Sequence, residues 1–166
     1  MSSPVTADVN VFVRAVAGGR DDFHSWPSPP PVRGNPAANV VGILNDGREF
    51  GLCLTEHILA NVFRVLSGPP PAGFGWETDR AEEYVRLLIE IADASGGGLV
   101  TPAETVADCR DHEDNRILEC AAAGGSVLIV SDDSDLLEMS PWQGIPVLTA
   151  TQFVARTDAM RRARRR

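Results

Sequence analysis

In the stretch SVLIVSDDSDLL, Ser126 to Leu137, an apolar run passes directly into a cluster of acids. Val127 to Val130 is a short run of apolar, mostly β-branched residues. Continuous apolarity does not fit a sheet with one wet face, where apolar and polar residues alternate. It fits a parallel strand covered on both sides by helices. Asp132, Asp133 and Asp135 follow at once. In open parallel sheets, ligands bind beyond the C-terminal strand ends, so these acids stand where a ligand would. One acid is enough to cap the helix beginning SDLLEM, and three exceed what capping requires.

On either side of this stretch, strands and helices alternate. Pro4 to Asp8 reads as the first strand, followed by a helix from Asn10 to Ala17 with Asn10 as its N-cap. Gly18 to Gly34, with SWPSPPPVRG, reads as a long irregular loop. Asn35-Pro36 opens a helix to Leu44, and Asp46-Gly47 turns the chain into a strand over Glu49 to Leu54. Thr55 caps a helix to Leu66, and GPPPAG breaks it. Thr78 to Ala94 carries Ala81, Val85, Leu88, Ile89 and Ala92 at helical spacing. SGGG ends that helix before a strand near Leu99; it lacks the Lys-Ser/Thr ending of a phosphate loop. A helix from Asp111 to Ala123, a strand over Ile145 to Leu148 and a helix from Thr151 complete the pattern. The expected fold is three-layer α/β/α with a central parallel sheet.

Acids recur beside these elements. Asp8 ends the first strand. Asp111 suits the N-terminus of its helix, where a carboxylate caps orphan N–H groups. Asp114 is harder to explain by capping. Ile117, Leu118 and Ala121 lie three, four and seven residues on, so Asp114 shares their buried stripe. A carboxylate facing that way needs a partner. Carboxylates converging from separate segments repel one another and resist ionising together. A divalent oxygen-seeking cation removes that penalty, which points to Mg²⁺ or Mn²⁺.

The chain has 166 residues and is 43% hydrophobic and 23% charged, which suits one soluble domain. No apolar run reaches the length of a membrane span, and no signal peptide is visible at the N-terminus. The three cysteines, Cys53, Cys109 and Cys120, suggest free thiols in a reducing, cytoplasmic setting. Cys109, His112 and Cys120 fit no common zinc spacing. The net charge of −8 argues against a broad nucleic-acid-coating surface, yet five of the 15 basic residues fall in the closing RRARRR. The chain is divided into one domain over residues 1–158 and a basic tail over 159–166. The tail is either a solvated, disordered end or a binder of phosphates or an acidic partner.

In order and spacing, these motifs resemble the PIN-domain family, close to its toxin-component branch. Asp8-Val9-Asn10 matches the family's Asp-x-Asn after the first strand. Asp114 precedes Ala121 by the family's seven residues. SDDSDLL matches its Ser/Thr-x-Asp-x-Asp-Leu-Leu pattern, with Asp133 as the counterpart acid and Asp135 beside it. The resemblance implies a metal-dependent ribonuclease: Asp8, Asp114 and Asp133 catalytic, these and Asp135 holding Mg²⁺ or Mn²⁺, and Asn10, Asn61 and Asp111 positioning water or ligands. It also implies an RNA substrate and a cognate antitoxin protein, with a homodimer left open and no membrane partner.

One position departs from the family. Its second acid, a glutamate six residues after the capping Ser/Thr, falls here on Asn61. Helical spacing sets Asn61 at one edge of the apolar arc with His57 beside it, and Glu56 near the opposite edge. Glu56 does not simply replace the missing acid. The alternative reading is a catalytically impaired PIN-fold module that acts by binding RNA or protein. A phosphatase-like enzyme ranks last, because no Asp-x-Asp pair ends an early strand.

Overall fold

The computed structural model describes residues 2–17, 23 and 34–166. The expected loop over Gly18 to Gly34 lies outside them, apart from Phe23 and Gly34. Five strands form one sheet: β1 (Ser3–Ala7), β2 (Phe50–Leu54), β3 (Gly98–Leu99), β4 (Leu128–Val130) and β5 (Val147–Leu148). Their order is β3-β2-β1-β4-β5, and every pairing is parallel. Among the described residues the helices are α1 (Val9–Ala17), α2 (Pro36–Asp46), α3 (Glu56–Ser67), α4 (Thr78–Ser95), α5 (His112–Gly124), α6 (Ser134–Leu137) and α7 (Ala150–Arg164). This is the α/β/α architecture that the apolar strands imply.

The layers follow from handedness. The chain steps from β1 to β2 to β3 in one direction across the sheet, then returns past them to β4 and β5. Crossovers between parallel strands are right-handed, so opposite steps lay their helices on opposite faces. Helices α1–α4 cover one face and α5 the other. The chain reverses between β1 and β4, which opens a crevice at their C-terminal ends. Tyr84 from α4 donates its hydroxyl to the Phe12 carbonyl at 2.7 Å, tying two of these helices together inside the core.

Local chemistry explains the ends of the elements. Asn35 caps α2 through Ala37 N and Ala38 N, and Thr55 caps α3 through Ile58 N. Helix α1 starts at Val9, because Val11 N bonds to the Asp8 carbonyl. The expected N-cap Asn10 therefore stands inside the helix. β5 is shorter than expected: Ile145 pairs antiparallel with Trp142, and Pro146 has no N–H to donate. Helix α7 begins at Ala150 with a capping box between Thr149 and Gln152. It passes residue 158 without a break and is helical through Arg164. Arg161 there is only 11% exposed and grips Asp46 and Glu49, both buried side chains.

The glycines after α4 do more than turn the chain. A Cβ on Gly97 would meet the Leu52 backbone, lying 2.8 Å from its nitrogen and closer still to its carbonyl. The Leu52 strand backbone cannot yield cheaply. Gly97→Ala is expected to cost about 1–3 kcal/mol, read as a lower midpoint in urea. A midpoint equal to that of the wild type would show that β2 and the turn into β3 are not held this tightly.

Candidate metal centre

Asp8 is the first residue beyond β1, and its N–H donates to the Val130 carbonyl at 2.9 Å, which draws it to the end of β4. Its side chain is buried. Ser131 Oγ donates to Asp8 Oδ2 at 2.7 Å and accepts from Asp133 N at 3.0 Å. One hydroxyl thus orients acids on both sides of the crevice. Asp133 is the N-cap of α6, and its carboxylate accepts from Asp135 N at 2.9 Å.

Asp114 enters from α5, on the same face as buried Ile117, Leu118 and Ala121. The start of α5 is pinned twice. Asp111 Oδ1 accepts from Glu113 N at 2.8 Å and from Asp114 N at 3.3 Å. The Asn115 amide clasps the Cys109 backbone, accepting from its N at 2.8 Å and donating to its carbonyl at 3.0 Å. The Cys109 thiol points at Asp114 Oδ2 from 3.9 Å.

Carboxylate oxygens of Asp8, Asp114 and Asp133 all lie within 4.8 Å of one another, and those of Asp111, Asp114 and Asp135 form a second such group. Asp114 belongs to both. Burial pushes the Asp114 carboxyl up to about 7, helped by the charges of Asp8, Asp133 and Asp111. Burial also raises Asp8, with the Ser131 hydrogen bond opposing it and Asp133 adding to it. Such groups share a site as anions only when positive charge joins them. The adjacent arginines offset only the outer acids: Arg110 pairs with Asp135, and Arg14 with Asp132 at 3.4 Å, while Asp8, Asp114 and Asp133 have no basic partner among the described residues. An all-oxygen donor set suits a hard divalent cation. It does not suit zinc held by thiolates: Cys120 is buried in the core with its thiol pushed up to about 12, chiefly by burial.

The two asparagines stand differently. Asn10 Oδ1 is buried with no hydrogen-bond partner among the described residues. Asn61 lines a cleft of about 120 Å³ together with Asp8, Ile58, Arg64, Glu113 and Arg116. Its amide nitrogen donates to Glu113 Oε2 at 2.8 Å, and its oxygen accepts from Arg64 Nη2 at 3.1 Å. His57 Nε2 lies 2.9 Å from the same Glu113 oxygen. Glu56 is exposed in the first turn of α3 and does not line the cleft. Ser131 and Glu113 are the residues that sequence reasoning missed. Ser131 was visible inside SDDSDLL, but its two bonds span 123 and two residues; Glu113 carried no separate signal.

A family profile described as PIN domain matches residues 5–135, from the first strand through the last of these acids. No curated protein matches the chain. With the match covering most of its length, and the parallel sheet and clustered acids beneath it, the chain belongs to the PIN-domain family, whose members are generally metal-dependent nucleases.

Proposed function

We propose that the protein is an endoribonuclease dependent on Mg²⁺ or Mn²⁺, and the toxin of a toxin–antitoxin pair. The observation that carries this reading is the approach of Asp8, Asp114 and Asp133 to within 4.8 Å, with Asp114 raised to about 7. These three, with Asp135 beside them, would hold the cation. When bound, such a cation supplies acidified water and offsets charge on a phosphodiester. Ser131 keeps Asp8 and Asp133 aimed at the same point, and Asp111 holds the first turn of α5 so that Asp114 stays in register. Arg110 and Arg14, with side chains 81% and 61% exposed, stand at the rim where phosphate oxygens of an RNA would arrive. Asn10, with its orphaned carbonyl oxygen, is assigned to water or ligand positioning. Asn61 is assigned to holding Glu113 in the cleft. The toxin role rests on the resemblance of the motifs; it calls for a cognate antitoxin that covers the acids, and leaves a homodimer open. Three free, buried cysteines support a cytoplasmic setting.

The decisive experiment incubates the purified protein with total RNA and Mg²⁺ or Mn²⁺ and maps the cut ends. Defined internal cuts that vanish in EDTA support the reading, and intact RNA at every metal concentration rejects it. The neutral Asn61 favours a second reading, a binding module with impaired catalysis. That reading expects RNA retention without cuts.

Metal binding has its own readout. A cation that binds only the native site is expected to raise the melting temperature, by about 2.7 kcal/mol of stability at 100 times Kd. Asp8→Asn is expected to lose most of that gain. A wild-type protein whose melting is indifferent to millimolar Mg²⁺ and Mn²⁺ would end the metal-site interpretation.

A further inference from the structure

The acids gather at the C-terminal ends of β1 and β4, on a chain whose net charge is −8. A polyanion draws most of its affinity for a protein from cations set against its phosphates. Near the acids, the rim arginines that could meet phosphates are shared with carboxylates, Arg110 with Asp135 and Arg14 with Asp132, and Arg64 is bonded to Asn61, so the rim alone offers few unshared cations. The arginine-rich end of α7 lies elsewhere.

Glu49 stands immediately before β2, where its carbonyl accepts from Ser3 N at 2.9 Å. It therefore marks the N-terminal edge of the sheet, opposite the acids. β1 has five residues, so about 17 Å of strand separates this edge from Asp8. Arg161 makes four hydrogen bonds there, two to Glu49 and two to Asp46, at 2.8–3.0 Å. Arg161 holds the Glu49 carboxyl below its usual range. Around this centre, where one guanidinium meets two carboxylates, Arg48, Arg164 and Arg165 line a recess of about 200 Å³ with Glu49 and Arg161. Arg48 and Arg165 are exposed and make no ion pair among the described residues, and Arg164 is 64% exposed and touches Glu49 at 3.6 Å. Three guanidinium groups besides Arg161 thus line the recess, and one of them, Arg164, shares Glu49 with it. Such groups match phosphate oxygens in geometry and charge.

We propose that this arginine recess is a second nucleic-acid contact, a remote anchor for the phosphodiester backbone of single-stranded RNA. The choice of RNA rests on the ribonuclease reading above. An acidic body gathers a polyanion only through a surface of opposite sign, and this recess supplies one away from the acids.

The test measures binding, not cutting. Labelled single-stranded RNA long enough to reach from the acids to the recess is titrated with full-length protein in EDTA at several salt concentrations. For the triple variant Arg48→Gln/Arg164→Gln/Arg165→Gln, affinity is expected to fall roughly tenfold at low salt, and the slope of log K against log salt to become shallower by about 2, for three lost contacts at about 0.7 each. Arg161 is left intact, and the melting temperature checks the fold. Should the triple variant melt early, Arg48→Gln and Arg165→Gln singly carry the same measurement with proportionally smaller changes. Unchanged affinity and slope would overturn the anchor. So would polyglutamate that binds the wild type as tightly as RNA and loses affinity equally in the variant, since the surface would then dock an acidic protein. Cleavage is scored separately. A protein that binds RNA through these arginines but cuts nothing with metal keeps the anchor and loses the ribonuclease reading; one that cuts RNA while the variant binds normally does the reverse.

Discussion

Asp114→Asn is expected to reduce metal-dependent cleavage more than about 100-fold, beyond the 10–100-fold that loss of a supporting contact costs a metal site, and at the same time to make the metal-free protein more stable at neutral pH. The sign follows from the raised carboxyl. Asp114 titrates at about 7 in the folded protein, against about 3.9 when unfolded. Between those values the native state holds a proton that the unfolded state has released. Metal-free stability therefore falls as pH rises from about 4 through 7, by up to about 4 kcal/mol from this group. Asp8 is raised as well and adds to the same slope. Asparagine has no such titration, so the variant should match the wild type near pH 4 and exceed it above pH 7 in EDTA. Denaturant melts at both pH values, run beside the cleavage assay, decide the matter. A variant less stable than the wild type at pH 8 would mean that the ionised carboxylate is already compensated within the protein, and the case for a cation would fall with it.

The second large effect lies at the other end of the sheet. Arg161→Met leaves Glu49 and Asp46 facing each other, with side chains 3% and 5% exposed and their principal cation gone. Breaking a buried pair by removing one partner costs about 3–5 kcal/mol. Arg161 lowers the Glu49 carboxyl in the folded state, so its contribution is present above the unfolded carboxylate pKa and is lost as pH falls below it. The destabilisation should therefore be large at pH 7 and shrink towards pH 3. Adding Glu49→Gln and Asp46→Asn to the variant should recover much of the loss. A single variant that melts with the wild type at pH 7 would show that Arg164, 3.6 Å from Glu49, suffices as the cation.

Features legible in the sequence were those written in neighbouring residues. The apolar run of β4 and the acids after it are adjacent, so strand, strand end and candidate ligands appear together. Asp114 was legible because helical spacing joins it to Ile117, Leu118 and Ala121. Asn61 was correctly set at a helix edge, but its partner Glu113 lies 52 residues on, on another helix. The burial of Arg161 was hidden for the same reason: its carboxylates stand 112 and 115 residues away. Within RRARRR, nothing local distinguishes the one inward-facing arginine from its solvated neighbours. The expected N-cap Asn10 fell inside α1 because N-cap preference ranks Asp and Asn equally, and only the bond from Val11 N to the Asp8 carbonyl fixes where the first turn begins.

The placement of β1 in the middle of the sheet has a consequence for the ribosome. Strand β1 is hydrogen-bonded on both sides, and its β4 partner lies more than 120 residues later in register with it. At about 5–20 residues per second, roughly 6–25 s separate the making of Asp8 from that of Asp133. Until then the nascent chain exposes one unpaired edge of its central strand, and its acidic centre is incomplete. The activity proposed for this centre would therefore stay latent until the chain has been made through Asp133.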